Sequence, residues 1–216
     1  HDGFKGTWLV GILKKLDCEV LGISDFKSES REFFLLTDSN ILEEKVALTN
    51  QESLNQIFYE FNPDIVIHMA AQPLVRQSYD YPVLTWQSNV VGTLNILETC
   101  RNLTITPEIL IITTDKVYKN NGWQWGYREN DELGGQDPYS ASKSACEILV
   151  RSYRKSYENL KNIIVVRGGN VIGGGDFSSD RLMPDLYRNS INSVPTIIRS
   201  PNATRPWQHV LDCLDG

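Results

Sequence analysis

Short apolar, β-branched runs alternate along this chain with longer segments in which apolar residues recur every three to four positions. The runs near 18–24, 45–48, 64–70, 108–114, 163–168 and 195–198 predict strands, and the segments near 5–16, 51–61, 83–103, 139–158 and 183–192 predict helices. Strands that alternate with helices form a parallel sheet, because each crossover must return along a face of the sheet. The runs at 64–70 and 108–114 are apolar almost throughout, as strands are when helices cover both faces. The pattern therefore predicts an α/β chain with a doubly wound parallel sheet over residues 1–168, followed by a small, incomplete C-terminal lobe over 169–216. In such a sheet ligands gather at the carboxyl ends of the strands, where Ala71, Thr114 and Asn170 are expected.

Composition narrows the function. The 216 residues are 41% hydrophobic and 22% charged, ordinary for a soluble globular chain long enough for one substantial core and an incomplete second lobe. A net charge of −6 and the lack of any basic run argue against a nucleic-acid surface, which needs clustered Lys and Arg. Apolar stretches such as Ile65 to Ile67 and Ile109 to Ile112 are too short to span a bilayer, and no signal peptide is visible, so a cytoplasmic protein without membrane contact is expected. Cys18, Cys100, Cys146 and Cys213 are scattered, which suggests buried free thiols rather than a metal site or a disulfide framework.

Two segments carry chemistry. In Ile111-Ile112-Thr113-Thr114-Asp115-Lys116 an apolar strand ends in a hydroxyl, a carboxylate and an amine. In Tyr139-Ser140-Ala141-Ser142-Lys143 a helix opens with a phenol and an ammonium four positions apart. That spacing puts both groups on one helix face, where the cation favours the phenolate and moves the tyrosine towards use as a base. The spacing alone recurs by chance, since Tyr157 and Lys161 share it, but no matching strand end precedes that pair. Asp137-Pro138 marks Tyr139 as the helix start: Asp can cap, and Pro suits the first turn.

At the amino end, Gly3-Phe4-Lys5-Gly6 before an amphipathic helix reads as the last two glycines of a phosphate loop. Asp25, nineteen positions after Gly6 at the end of the next strand, can accept both ribose hydroxyls of an adenosine. Its charge would repel a 2′-phosphate, so NAD is favoured over NADP, with Lys27 and Arg31 nearby working against that preference. The first glycine and its strand are missing from a chain that begins at His1, so the chain reads as a fragment whose sheet lacks its central member. His68, inside an apolar run, reads as a satisfied core histidine, and Asn89 as a residue that fixes a helix against the sheet.

Taken together, the glycine loop, Ala70-Ala71-Gln72-Pro73, Thr114-Asp115-Lys116, Tyr139 to Lys143 and Arg167-Gly168-Gly169-Asn170 resemble the extended short-chain dehydrogenase/reductase superfamily, whose fold is of the Rossmann type. Within it the chain is similar to the CDP-glucose 4,6-dehydratases, through Trp123 to Glu129, Gly168 to Asp176 and Arg205-Pro206-Trp207-Gln208-His209-Val210. The resemblance implies NAD-dependent dehydration of a nucleotide hexose in deoxysugar synthesis. Tyr139 would take the C4 hydroxyl proton with Thr114 holding that hydroxyl, Lys143 would support the tyrosine and grip the nicotinamide ribose, Asp115 would protonate the departing C6 oxygen, and Lys116 would remove the C5 proton. It further implies that Gly3, Phe4, Gly6, Asp25, Ala70, Ala71 and Gln72 bind the cofactor with Tyr139 and Lys143. Asn170, Arg181 and Arg205 would hold the substrate, with no metal. Family members usually carry Gly-Asp at the end of the third strand, whereas this chain has Val46 to Asn50, so one adenine contact is either missing or supplied by Asn50. Val90, Leu94 and Leu97 on one helix and Ile148, Leu149 and Tyr153 on another are extra apolar positions; they fit packing on the sheet, and the resemblance implies instead a homodimer built on these two helices. A 4-epimerase, a dehydratase for another nucleotide sugar, and a non-catalytic nucleotide-binding fragment remain as alternatives.

Overall fold

The computed structural model describes residues 1–37 and 39–216. In chain order the elements are α1 (Phe4–Lys15), β1 (Leu21–Ser24), α2 (Arg31–Leu36), β2 (Leu42–Lys45), α3 (Gln51–Phe61), β3 (Ile65–His68), α4 (Val75–Asp80) and α5 (Pro82–Trp86). A π turn (Gln87–Val91) leads to α6 (Gly92–Arg101) and β4 (Glu108–Thr114). A 3-10 turn (Asp115–Val117) precedes α7 (Pro138–Ser156), β5 (Ile164–Gly168), β6 (Asn170–Ile172), α8 (Leu182–Ile191), β7 (Trp207–His209) and α9 (Val210–Asp215). The chain divides into two compact units: a terminal unit, His1–Lys45 with Gly169–Gly216, and a central unit, Val46–Gly168.

In the central unit, strands β3, β4 and β5 lie in that order and pair in parallel, from Ile65↔Glu108 and from Leu110↔Ile164 through Thr114↔Gly168. Leu54 and Phe58 of α3, Leu97 and Cys100 of α6, Ile109 and Ile111 of β4, and Cys146 and Val150 of α7 are buried together as its core. Each such aliphatic side chain contributes about 1.5–3 kcal/mol through burial. Helix α3 has the predicted bounds because both ends are coded locally. Asn50 Oδ1 accepts the Ser53 amide at 3.2 Å, and Asn62 takes the left-handed conformation (φ 49°) that closes the helix.

In the terminal unit, β1 pairs with β2 in parallel from Leu21↔Leu42 to Ser24↔Lys45, and β6 pairs with β7 from Asn170↔Trp207 to Ile172↔His209. The Gly173-Gly174-Gly175 loop lies against α1 and α2. Gly174 O accepts the Trp8 indole N–H at 2.9 Å, and Gly175 O accepts the Ser30 hydroxyl at 2.8 Å. Gly175 has φ +85°, and a β-carbon there would collide with the Phe33 ring, so the position requires glycine.

The strand expected at 195–198 is not formed. Pro195 has no N–H to donate, Ile197 is 85% exposed, and the partner of β6 is instead Trp207–His209. The strand expected at 45–48 lies earlier, at Leu42–Lys45, because register with β1 decides it. Leu48 turns instead towards α6: its carbonyl accepts the Asn95 amide at 2.8 Å, and its side chain faces Gly92. The helix expected over 83–103 is broken by the π turn. Helices α2, α4 and α9, each six residues long, fall outside the predicted set. Cys100 and Cys146 are buried as expected, whereas Cys18 and Cys213 are partly exposed.

Candidate active site

Strand β4 delivers three reactive side chains in succession. Thr114, buried at its last position, donates its hydroxyl to Asp115 Oδ1 at 3.0 Å and accepts the Lys116 amide at 3.4 Å, so it caps the 3-10 turn that follows. Lys116 Nζ donates to the same Asp115 oxygen at 3.0 Å, and both side chains remain partly exposed. A hydroxyl, a carboxylate and an ammonium thus share one oxygen, Asp115 Oδ1, within hydrogen-bond distance.

Helix α7 brings the second set. Asp137 caps it through Oδ1, which accepts the Ser140 amide at 2.9 Å, with Pro138 at the first position. Tyr139 is anchored from two sides: its amide donates to the Ser78 hydroxyl at 3.1 Å, and its carbonyl accepts from Ser142 at 2.7 Å. One turn on, Lys143 is buried, and its ammonium donates to the Ile112 carbonyl of β4 at 2.9 Å. Tyr139 and Lys143 thus stand one helical turn apart on α7, with Lys143 tied to β4.

Several side chains that the sequence reading did not place in the site hold it in shape. Asn89, buried in the π turn, accepts the Gln72 amide at 2.8 Å and donates to Gln72 O at 3.3 Å and to Ser142 Oγ at 2.8 Å. The wide turn also leaves Asn89 O accepting from Thr93 Oγ1 at 2.6 Å and Cys146 Sγ at 3.1 Å. His68 closes this layer through Thr93 Oγ1 at 3.0 Å, as expected of a satisfied core histidine. Burial, and secondarily the Lys143 charge, pushes its imidazole down to about 3. On the other side of α7, Glu147 accepts from Thr113 Oγ1 and Arg167 Nε, each at 2.8 Å, and Arg167 lies 4.6 Å over the Tyr118 ring. Asn89 was read as fixing a helix against the sheet; the bonds it makes are to Gln72 and Ser142 instead. Nothing local marks Ser78 or Glu147.

The Ala70-Ala71-Gln72 segment follows β3, which ends at His68, so Ala71 lies in a loop three residues beyond the strand rather than at its end. The Gln72 amide is committed to that loop: Nε2 donates to Leu74 O at 3.1 Å and Thr85 Oγ1 at 3.0 Å, while Oε1 accepts the Leu74 amide. Asn50, the proposed adenine contact, has its amide oxygen committed to capping α3.

In the terminal unit, Gly3 stands at the N-cap of α1, where no side chain caps the first amides, and buried Phe4 follows. A β-carbon on Gly6 would lie 2.6 Å from His1 O, so only glycine lets the helix pack this closely on that backbone. Asp25 follows β1 with an exposed carboxylate, 3.5 Å from a Lys27 ammonium that is itself 82% exposed. Uncapped helix amides, glycines at positions 3 and 6 and a solvent-facing carboxylate after the next strand fit a dinucleotide's pyrophosphate and ribose. Asn170 pairs by its main chain next to Arg205, its backbone amide donating to Pro206 O at 3.0 Å, and the exposed Arg205 guanidinium donates to Thr204 O. Arg181 is engaged elsewhere: it donates to both oxygens of buried Asp176, at 3.2 and 3.1 Å, and so braces the end of the glycine loop. Among the described residues no cluster of His, Cys, Asp and Glu could hold a metal, and no helix is long and apolar enough to cross a membrane.

Comparison with known families decides what this frame is. The model of the NAD dependent epimerase/dehydratase family matches residues 1–216. The chain belongs to that family. Its members use NAD, the cofactor that the glycine turn and Asp25 fit. The chain is 43% identical over 225 residues to the CDP-glucose 4,6-dehydratase of Salmonella typhimurium, a match covering all of this chain and 63% of that protein's length. Among solved family folds it is similar to Pal from Bacillus thuringiensis (TM-score 0.89, 25% identity, 99% of this chain and 69% of that one). It is also similar to the UDP-glucose 4-epimerase of Thermus thermophilus complexed with NAD (TM-score 0.81, 25% identity, 99% of this chain and 70% of that one).

Proposed function

We propose that the protein to which this chain belongs carries out the NAD-dependent 4,6-dehydration of a nucleotide-activated hexose, with CDP-glucose as substrate and CDP-4-dehydro-6-deoxy-glucose as product. The observation that carries this reading is the Thr114-Asp115-Lys116 cluster, in which an acid and a base share one hydrogen bond. The Salmonella relative, a CDP-glucose 4,6-dehydratase, supports the choice of substrate.

NAD, when bound, supplies the acceptor for oxidation at C4 and the donor for reduction at C6. Tyr139 takes the C4 hydroxyl proton, and Thr114 orients that hydroxyl. Buried Lys143, fixed to Ile112 O one helical turn beyond Tyr139, supports the tyrosine in this step. Once C4 is a ketone the C5 proton is acidic, and elimination needs a neutral amine to take it and a carboxylic acid to protonate the departing C6 oxygen. The observed Lys116–Asp115 ion pair differs from that reactive pair by one proton moved along their 3.0 Å hydrogen bond. After water leaves, Lys116 has gained the C5 proton and Asp115 has lost its own, which restores the ion pair. Residues 1–168 carry the cofactor and the reacting groups, and 169–216 contribute Asn170 and Arg205 to the substrate diphosphate, with Arg181 as a brace.

We further propose a cytoplasmic homodimer built on α5, the π turn and α7, where Val83 and Ile148 are 68% and 58% exposed alongside Leu84, Trp86 and Val91. Leu97 is not part of this face, because it is fully buried in the core. Light scattering on the eluting protein should give twice the monomer mass. A 4-epimerase is the second reading, favoured by the epimerase fold match, but that reaction has no use for the Asp115–Lys116 pair. The deciding experiment incubates the full-length protein with NAD and CDP-, dTDP- or UDP-glucose or GDP-mannose and follows loss of water by mass spectrometry. Dehydration of CDP-glucose alone is expected, and C4 inversion without loss of water would overturn the reading.

A further inference from the structure

Arg31 begins α2, six residues beyond Asp25, and its guanidinium is turned inward. Its Nη1 donates to Glu43 Oε2 on β2, lies 3.3 Å from His1 Nε2 and 3.5 Å from Asp2 Oδ2. The guanidinium carbon sits 4.0 Å above the centre of the Phe26 ring and 5.2 Å from that of Phe34. The Arg31 and Glu43 side chains are only 20% and 25% exposed. Register explains the room they occupy: Glu43 stands opposite Gly22, which has no side chain, and the His1 ring fills that space and bonds Glu43 Oε2 at 2.7 Å. Stacking on an aromatic face and ion pairing to a shielded carboxylate together make a firm hold on an arginine.

The end of β1 is where an adenosine ribose is read, and a 2′-phosphate there calls for a nearby cation. Two candidates stand near Asp25. Lys27 is loosely paired and mostly exposed. Arg31 has the better chemistry, since guanidinium binds phosphate through paired donors. It is also close: Asp2 Oδ2, beside its Nη1, accepts from Ser24 Oγ at 2.9 Å, and Ser24 Oγ accepts the Phe26 amide at 2.9 Å. The guanidinium therefore lies a few hydrogen bonds from the backbone on either side of Asp25, yet faces away into Glu43.

We infer that Glu43 is a cofactor-specificity residue: by holding Arg31 against Phe26 it withholds the cation that a 2′-phosphate would need, and so excludes NADP alongside the repulsion from Asp25. The inference rests on the NAD-binding reading of the terminal unit. The test measures binding rather than turnover, by titration calorimetry of NAD and NADP into the full-length protein and its Glu43→Gln, Arg31→Ala and double variants, with thermal unfolding as a check on folding. Glu43→Gln is expected to tighten NADP binding about tenfold while leaving NAD within about threefold, and the double variant is expected to return NADP to its original affinity. Arg31→Ala alone should leave NADP unchanged, because the latched arginine does not reach the phosphate. An unaltered ratio of NADP to NAD affinity in Glu43→Gln overturns the latch, as does a double variant that binds NADP as tightly as Glu43→Gln. If Glu43→Gln does not fold, Arg31→Ala still decides, since several-fold weaker NADP binding would mean that Arg31 already contacts the phosphate. Wild-type protein that binds neither nucleotide would overturn the NAD reading itself, and the latch with it.

Discussion

The Asn89 carboxamide donates to the Ser142 hydroxyl at 2.8 Å, and Ser142 in turn donates to Tyr139 O at 2.7 Å. Because the same carboxamide also bonds both backbone groups of Gln72, one buried side chain sets the loop after β3 and the first turn of α7 relative to each other.

Asn89→Ala therefore removes partners from the Gln72 amide and carbonyl and from Ser142, all in buried residues. Each buried polar group left unpaired costs about 1–3 kcal/mol, so a loss of roughly 2–4 kcal/mol is expected after partial relaxation. Urea denaturation checks this; a change within about 0.5 kcal/mol would mean that water or a rotated Ser142 replaces the amide.

Burial and, less strongly, the Lys143 charge lower His68 from 6.5 to about 3. The native state keeps the ring neutral, while the unfolded chain takes up a proton below about 6.5. Stability from this group is thus present above that pH and lost as pH falls through the window towards 3. Between pH 6 and pH 4 the wild-type protein should lose about 2–3 kcal/mol more than His68→Gln, which cannot titrate. Parallel slopes in urea unfolding across that range would sink the assignment.

Two glycines of α1 should respond in opposite directions to the same substitution. At Gly11 nothing lies within 4 Å of an added β-carbon, and Gly11→Ala should stabilise by about 0.5–1 kcal/mol through helix propensity. At Gly6 the added carbon meets the His1 backbone at 2.6 Å, and Gly6→Ala should cost about 2 kcal/mol and weaken NAD binding. Thermal melts of the two variants, with NAD titrations, test the contrast.

How much of this was legible beforehand follows from how far each feature reaches along the chain. Helix α7 was readable through its cap, Asp137, and helix α3 through its apolar period, while the Asn50 cap that fixes its start within three residues went unread. Strands β2 and β7 were misplaced because pairing is settled by the partner: Leu42 by Leu21, Trp207 by Asn170. The spacing of Thr114 to Lys116 and of Tyr139 to Lys143 marked candidate chemistry directly. Asn89 was read as a structural residue, but its partner was not legible, since it meets Ser142 across 53 positions, and Ser78, which meets Tyr139 across 61, was not read at all. Gln72 was read as a cofactor ligand from its neighbours alone, and only the fold shows its amide bound to Leu74 and Thr85.

The division of labour between Asp115 and Lys116 can be separated by watching C5 and C6 independently. If Lys116 takes the C5 proton, Lys116→Met should abolish both exchange of the C5 hydrogen with deuterated solvent and loss of water, each by at least about 100-fold. If Asp115 serves only the departing oxygen, Asp115→Asn should block loss of water to a similar degree while C5 exchange continues, slowed because Lys116 no longer faces a carboxylate, at 3.0 Å, that can take its proton. Both signals can be read in one NMR sample of full-length protein with NAD and CDP-glucose. Retained C5 exchange in Lys116→Met would assign the base elsewhere, with Tyr139, already the base at C4, as the next group to test.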